Sequence, residues 1–463
     1  MSIQAQEFRI KEMWFGAERH GGTEHVDMKF MTPEISIFES IEKNYITANI
    51  LVYDDADTFA DFLALQGTEK VKMEIDGGEA SEIDSMILEL RVVSLVKQEK
   101  IQDRAAIYAI NCISKHAYDD ANGKLSRSYT GQLEDTAEKI LESYLDVGVL
   151  KKKELFSDED ISVQGEVKVI VPYISPLEAV SWLMERATSP GGSPFYAWAT
   201  VWDQDEGKDN VRYGTLKTML EQGIKKVLPE VKQKAEDGER SFIFNIMAQG
   251  RAKTYKAQRA VIQSYTIHDT EDTLRMINKG AIGSTISNID TYTSAQMKKH
   301  FDLEKLISNT LGLGKMDTVL DNKDTVKFNG ETKTLSNHDS RYRNLVTSYG
   351  TYKWHNSYHD NADPSLLMNK MAKTAWTSAL VKNRIDVVLG GYQFAKNKIA
   401  AGDVIRLVFP VNKVSDDSPD GTDYAKKIDE RKTGFYLILG IRRMWIGEQH
   451  SVVCDCTRVA PQE

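Results

Sequence analysis

Residues 59–75, FADFLALQGTEKVKMEI, and residues 394–409, FAKNKIAAGDVIRLVF, carry nearly the same message in two distant parts of one chain. In each, Phe-Ala stands eight residues ahead of a glycine, Phe59 to Gly67 and Phe394 to Gly402, and an acid and a short apolar strand follow. With Gly67 set on Gly402 and one gap allowed, Glu69 pairs with Asp403, Val71 with Ile405, Lys72 with Arg406, Met73 with Leu407 and Ile75 with Phe409. The likeness extends outward. MILELRVVSLV at 86–96 matches FYLILGIRRMWI at 435–446, a polar turn follows each, and AIYAINCISK then matches SVVCDCTRV. Two copies so far apart do not make a solenoid. They predict a duplicated antiparallel β-barrel domain whose second copy is interrupted by an insertion from about residue 290 to 380.

The patterns around the repeat divide the chain. YITANILVY at 45–53 places β-branched and aromatic residues at both parities, which predicts a strand covered on two faces. VKMEI alternates and predicts one wet face. Strands at 86–96 and 105–114, split by the charged turn KQEKIQDR, complete a meander over residues 1–115. Helical periodicity then begins. GQLEDTAEKILESYLD has Leu133, Ala137, Ile140, Leu141, Tyr144 and Leu145 on one face, and SPLEAVSWLMERA opens with a capping serine, Ser175, Pro176 at the first helical position and Glu178 closing a capping box. A hairpin between Phe195 and Tyr213 with the acidic turn DQDEGKDN makes residues 116–240 an α+β middle domain. RSFIFNIMA and RAVIQSYTI return to strand character, so 241–290 joined with 380–463 form the second barrel. The insertion, 291–379, offers a helix in TSAQMKKHFDLEKLIS, a long polar tract from Gly314 to Asn344, and a second helix in PSLLMNKMAKTAWTSALVKN. The expected class is α+β and mainly β. A polar tract of that length in a compact domain is mobile or ordered by a neighbour.

The chain has 463 residues, a net charge of −9, 41% apolar and 27% charged residues, the profile of a soluble multidomain protein with no apolar run of membrane-spanning length. The start, MSIQAQEFRIKEMW, lacks a signal peptide's basic-then-apolar order, so synthesis and residence in the cytoplasm are expected. Cys112, Cys454 and Cys456 have no framework spacing and read as reduced, buried thiols. The negative balance argues against wrapping a nucleic-acid backbone, and the short KKK at 151–153 reads as a solvated turn.

No catalytic constellation is present. There is no G-x-S-x-G elbow and no phosphate-cradling glycine loop. His355 and His359 stand four apart as a helical zinc pair would, but without the glutamate of H-E-x-x-H and in sequence without helical pattern. Acid clusters at 54–57, 203–209 and 416–423 fall between strands, where Asp and Gly are ordinary turn formers; Gly207 comes one place early for a calcium loop. No catalytic, cofactor-binding or metal-ligating residue is expected, and no cofactor. Substitution of Asp203, Asp205 and Asp209 is expected to remove no activity.

In order along the chain, EISIFESIEKNYITANILVYD with GTEKVKMEI, CISK with SYTGQLEDTAEKIL, VIVPYISPLEAVSWLMERA, IDVVLGGYQFAKNKIAAGDVIRLVFP and KTGFYLILGIRRMW resemble the baseplate hub proteins of contractile-tailed bacteriophages. The resemblance implies two tail-tube-like barrels per chain, and a homotrimer whose six similar units match a hexameric tail tube to a trimeric central spike. It implies tube or tube-initiator proteins, the spike and baseplate wedge proteins as partners, a virion location in the tail baseplate, no membrane span and no sequence-specific nucleic acid. Aromatics such as Tyr45, Tyr53, Trp376 and Trp445 are candidates for the apolar interfaces of such a ring. The alternatives are the hub of a non-phage contractile injection system and a tail-associated cell-wall hydrolase, which would need two convergent carboxylates in a cleft.

Overall fold

The computed structural model describes residues 8–19, 22–55, 58, 66–77, 83–102, 105–150, 165–204, 209–232, 241–246, 259–268, 273–280, 282–302, 325–334, 341–347, 359–361, 363–382, 384–410, 428–429, 432–447 and 449–461. Seven strands come first: β1 (Phe8–Arg19), β2 (Gly22–Asp27), β3 (Glu34–Ser40), β4 (Thr47–Asp54), β5 (Lys70–Gly77), β6 (Met86–Gln102) and β7 (Ala105–Ser114). A mixed region follows with α1 (Lys115–Asp120), β8 (Ser128–Gly131), α2 (Leu133–Leu145), β9 (Gly148–Leu150), β10 (Val167–Ile170), α3 (Pro176–Met184), β11 (Phe195–Trp198), β12 (Asn210–Thr215) and α4 (Leu216–Lys232). Then come β13 (Ile243–Asn245), β14 (Ile262–His268), α5 (Thr273–Lys279), β15 (Gly283–Asp290), β16 (Gln296–Asp302), β17 (Thr325–Phe328), β18 (Glu331–Thr334), β19 (Arg341–Thr347) and α6 (Pro364–Lys382). The chain closes with β20 (Arg384–Gly390), α7 (Gly391–Lys396), β21 (Val404–Val408), β22 (Gly434–Ile446) and β23 (Gln449–Pro461).

One sheet of 13 strands holds both copies of the repeat, in the order β14-β20-β23-β22-β3-β4-β7-β6-β5-β1-β2, with β21 on β22 and β13 on β21. Within it, β3-β4-β7-β6-β5 and β14-β20-β23-β22-β21 have the same connectivity. Their registers agree residue by residue. Ala48 faces Cys112 as Ile385 faces Cys456, and Asn49 faces Asn111 as Asp386 faces Asp455. The glycines that open the repeat both take left-handed backbone, φ 84° at Gly67 and 89° at Gly402, where a side chain would be strained. The amide of Val92 donates to the carbonyl of Glu69, and that of Ile438 to the carbonyl of Asp403, both at 2.9 Å. One residue further, each long strand carries a bulge, between Val92 and Ser94 and between Ile438 and Gly440.

The class is mainly β with α+β parts, as the sequence predicts. Among the described residues the sheets are not closed into barrels: the strand order is an open path, because the edge of one copy, β3, pairs with β22 of the other. Strand β4 is covered on one face only, with Ile46, Ala48, Ile50 and Val52 turned into the core and Asn49 and Tyr53 exposed. Residues 97–102, expected to be a turn, continue β6 opposite β7. Residues 283–290, expected in the second barrel, instead pair with β16 and β19 in a separate sheet. That pairing also overrides the helix expected in the TSAQMKKHFD stretch, since Gln296–Asp302 is a strand against β15. The polar tract is not without structure either: Asn329 and Gly330, φ 49° and 83°, turn the β17–β18 hairpin, for which Asn-Gly is the strongest local signal.

In the mixed region the expected helices form. Ser175 accepts the amide of Glu178 at 3.4 Å, Pro176 starts α3, and Leu177, Val180, Leu183 and Met184 are buried against Leu133, Ala137, Ile140 and Leu141 of α2. The expected hairpin pairs Phe195 with Thr215 and Ala197 with Tyr213. Cys112, Cys454 and Cys456 are buried free thiols, and burial pushes those of Cys112 and Cys456 up from the usual range.

Candidate assembly interface

The junction between the two copies is built by β3 and β22. Seven residue pairs run antiparallel from Gly440 opposite Ser40 to Ile446 opposite Glu34. The inner face of this seam is polar at one point. Arg443 is sealed from solvent, its Nε donating to Glu39 Oε1 at 2.8 Å and its Nη2 to the carbonyl of Ile399 at 2.6 Å. The other Glu39 oxygen accepts the amide of Ala401 at 3.4 Å, and the guanidinium lies 5.3 Å from the Trp202 ring centre. One buried ion pair thus ties the edge strand of the first copy, the long strand of the second, the turn before Gly402 and the middle region. Trp198 reinforces the last contact by donating its indole N–H to the carbonyl of Ala401 at 2.8 Å.

On the outer face Phe38, Arg442 and Ile446 are exposed and Ser36 is buried beneath them. Arg442 donates to Ser36 Oγ at 3.2 Å and lies 5.6 Å from the Phe38 ring centre. Along the inner face the next residue is Trp445, buried opposite Ile35 and stacked on His450 with ring centres 4.3 Å apart; Phe8 meets the same imidazole edge-on at 4.6 Å. Burial, and then the charge of Arg443, hold the His450 pKa well below its ordinary value, so the ring is neutral.

Trp376 and Trp445, singled out as interface candidates, are core residues; Tyr45 is partly buried, and Tyr53 is exposed on β4. Among the described residues the acids weighed for chemistry do not converge. Asp203 is buried and held by Arg212 and Thr200, Asp209 accepts from His116, and Asp54 accepts the amide of Thr58. Asp205, His355, the 416–423 cluster and Phe59 lie outside the described residues. Among the described residues no group of three potential metal ligands gathers, and no helix is long and apolar enough to cross a membrane. What sequence reasoning missed is the Glu39–Arg443 pair. Its trace in the sequence is two charged residues whose same-face neighbours, Ile37 and Ile41 for Glu39 and Ile441 and Trp445 for Arg443, are apolar.

No protein-family model matches this sequence, and no curated protein does. Among solved structures, the fold is similar to a tail protein from Neisseria meningitidis, with a TM-score of 0.50 and 10% identity over 98% of this chain and 97% of that one. A 43 kDa tail protein of a Shewanella oneidensis prophage matches with a TM-score of 0.48 and 8% identity over 97% of this chain and 98% of that one. A PdpA-VgrG complex from Francisella matches with a TM-score of 0.40 and 8% identity, over 98% of this chain and 54% of that one. At the identity of the Neisseria match the likeness is one of fold: this chain has the fold of a tail protein.

Proposed function

We propose that the chain is the structural hub of a contractile phage tail, three copies of which close a ring of six similar sheet units between a sixfold tail tube and a threefold central spike. The observation that carries this reading is the pair of sheet units with one connectivity, joined side by side within a single chain. A trimer of such a chain has six units related by approximate sixfold symmetry, while its exact symmetry remains threefold. The sixfold count itself comes from the family resemblance. In this reading residues 1–115 form one unit, 116–240 the middle domain, and 241–282 with 380–463 the second unit, while the separate sheet of β15, β16 and β19 stands outside the ring. The role is structural, and the location is the tail baseplate of the virion, with tube, spike and wedge proteins as partners.

Light scattering on the purified chain, alone and mixed with its tube and spike partners, tests this. A trimer is expected. Six chains per ring, or a chain that stays monomeric beside both partners, would refute the reading.

A further inference from the structure

The seam inside the chain specifies a second seam between chains. The outer half of β22 uses one side to pair with β23 and the other to pair with β3. Its counterpart is the outer half of β6, which pairs with β7 on one side and, among the described residues, with no strand on the other. The counterpart of β3 is β14, seven residues long like β3, which pairs with β20 on one side and, among the described residues, with no strand on the other. Among the described residues one copy of the joint is made and the two halves of another are left open. The halves differ, and repeating the internal joint in the same sense between chains sets each chain head to tail with the next.

Exposure at matched positions supports the same pairing. The registers set Leu95 of β6, opposite Ile110, on Ile441 of β22, opposite Cys454. Ile441 is 3% exposed in the made seam, whereas Leu95 is 41% exposed. They likewise set Ile267 of β14, opposite Ile385, on Ile37 of β3, opposite Ala48. Ile37 is fully buried and Ile267 is 52% exposed. Val93 and Val96 add further exposed apolar surface to β6. A long strand edge with apolar side chains standing in water is a site for pairing with another chain.

We infer that the outer half of β6 in one chain pairs antiparallel with β14 of the next, in the register of the internal seam. Met444 faces Ser36 there. Glu99, opposite Ile107, is the counterpart of Met444, opposite Ser451; Thr266, opposite Asp386, is the counterpart of Ser36, opposite Asn49. The inferred seam therefore sets Glu99 against Thr266 of the next chain, and Lys97 against His268. This assignment deepens the ring reading and rests on it for closure, but the register is its own claim.

Oxidation of the full-length E99C/T266C variant is the test, with E99C/S264C as the off-register control, whose diagonal separation of about 7–8 Å is too long for a disulfide. The expected result is conversion of most of the chain to disulfide-linked dimer and trimer bands for the first pair and at least a tenfold lower yield for the control. L95K, at an exposed position, is expected to keep the unfolding temperature of the monomer and to lose association. Trimers in light scattering with no cross-link, or equal cross-linking of both pairs, would overturn the register and leave the ring standing. A monomer in both measurements, with its tube and spike partners present, would overturn both.

Discussion

Arg443 and Glu39, 404 residues apart in the chain, share a hydrogen bond of 2.8 Å with both side chains closed to solvent. The pair lies where two copies of one fold unit meet, and its position decides what each partner does alone. A buried charge left without its partner is far more costly than the pair is stabilising. Arg443→Met is therefore expected to destabilise the chain by about 3–5 kcal/mol, and Glu39→Gln with Arg443→Met by clearly less than the two single changes summed. Urea denaturation of the four proteins measures the coupling; additive losses would contradict it.

The two repeat glycines differ in what surrounds them. Both hold positive φ, and an alanine at either is strained by roughly 1–2 kcal/mol. A Cβ at Gly402 would also meet the Trp198 ring at 2.9 Å and Met219 at 3.2 Å, whereas at Gly67 the nearest atom is the Val93 carbonyl at 3.5 Å. Gly402→Ala is expected to lower the melting temperature more than Gly67→Ala. Calorimetry on both variants checks the order.

His450 makes stability depend on acid. Its folded pKa lies well below the ordinary 6.5, so below about pH 6.5 the unfolded chain takes up a proton that the folded chain refuses. Stability is expected to fall as pH drops below about 6.5 toward the folded pKa, by at most about 1.4 kcal/mol per pH unit from this residue. Above that range the residue contributes no slope. His450→Phe, among aromatic neighbours, is expected to flatten the profile between about pH 5 and 6.5. Denaturant midpoints across that range decide it.

Lys373 acts at the alkaline end. It lines a cleft of about 450 Å³ with Glu42, Glu185 and Lys370, donates to the carbonyl of Phe195 at 2.9 Å, and burial lowers its pKa from 10.5 to about 8. Between those values the unfolded chain binds the extra proton, so this residue makes stability rise with pH across that window. Lys373→Met is expected to remove that slope, measured by urea unfolding at pH values spanning the window.

The duplication is legible in the sequence alone, because a left-handed glycine before a strand and the order of strand and turn signals are local properties that survive divergence. So is α3, through Ser175, Pro176 and Glu178, and so is the 195–215 hairpin. The Asn329–Gly330 hairpin was also legible, hidden only by the polar residues around it. Tertiary structure alone decided that β3 joins β22, that Gln296–Asp302 is a strand, that Trp376 and Trp445 lie inside, and that Glu39 meets Arg443. The physical reason is the same in each case. Strand pairing is made by backbone groups that every residue carries, so a strand's sequence says which face is buried but little about which edge will find it. A partner hundreds of residues away leaves no local period to read.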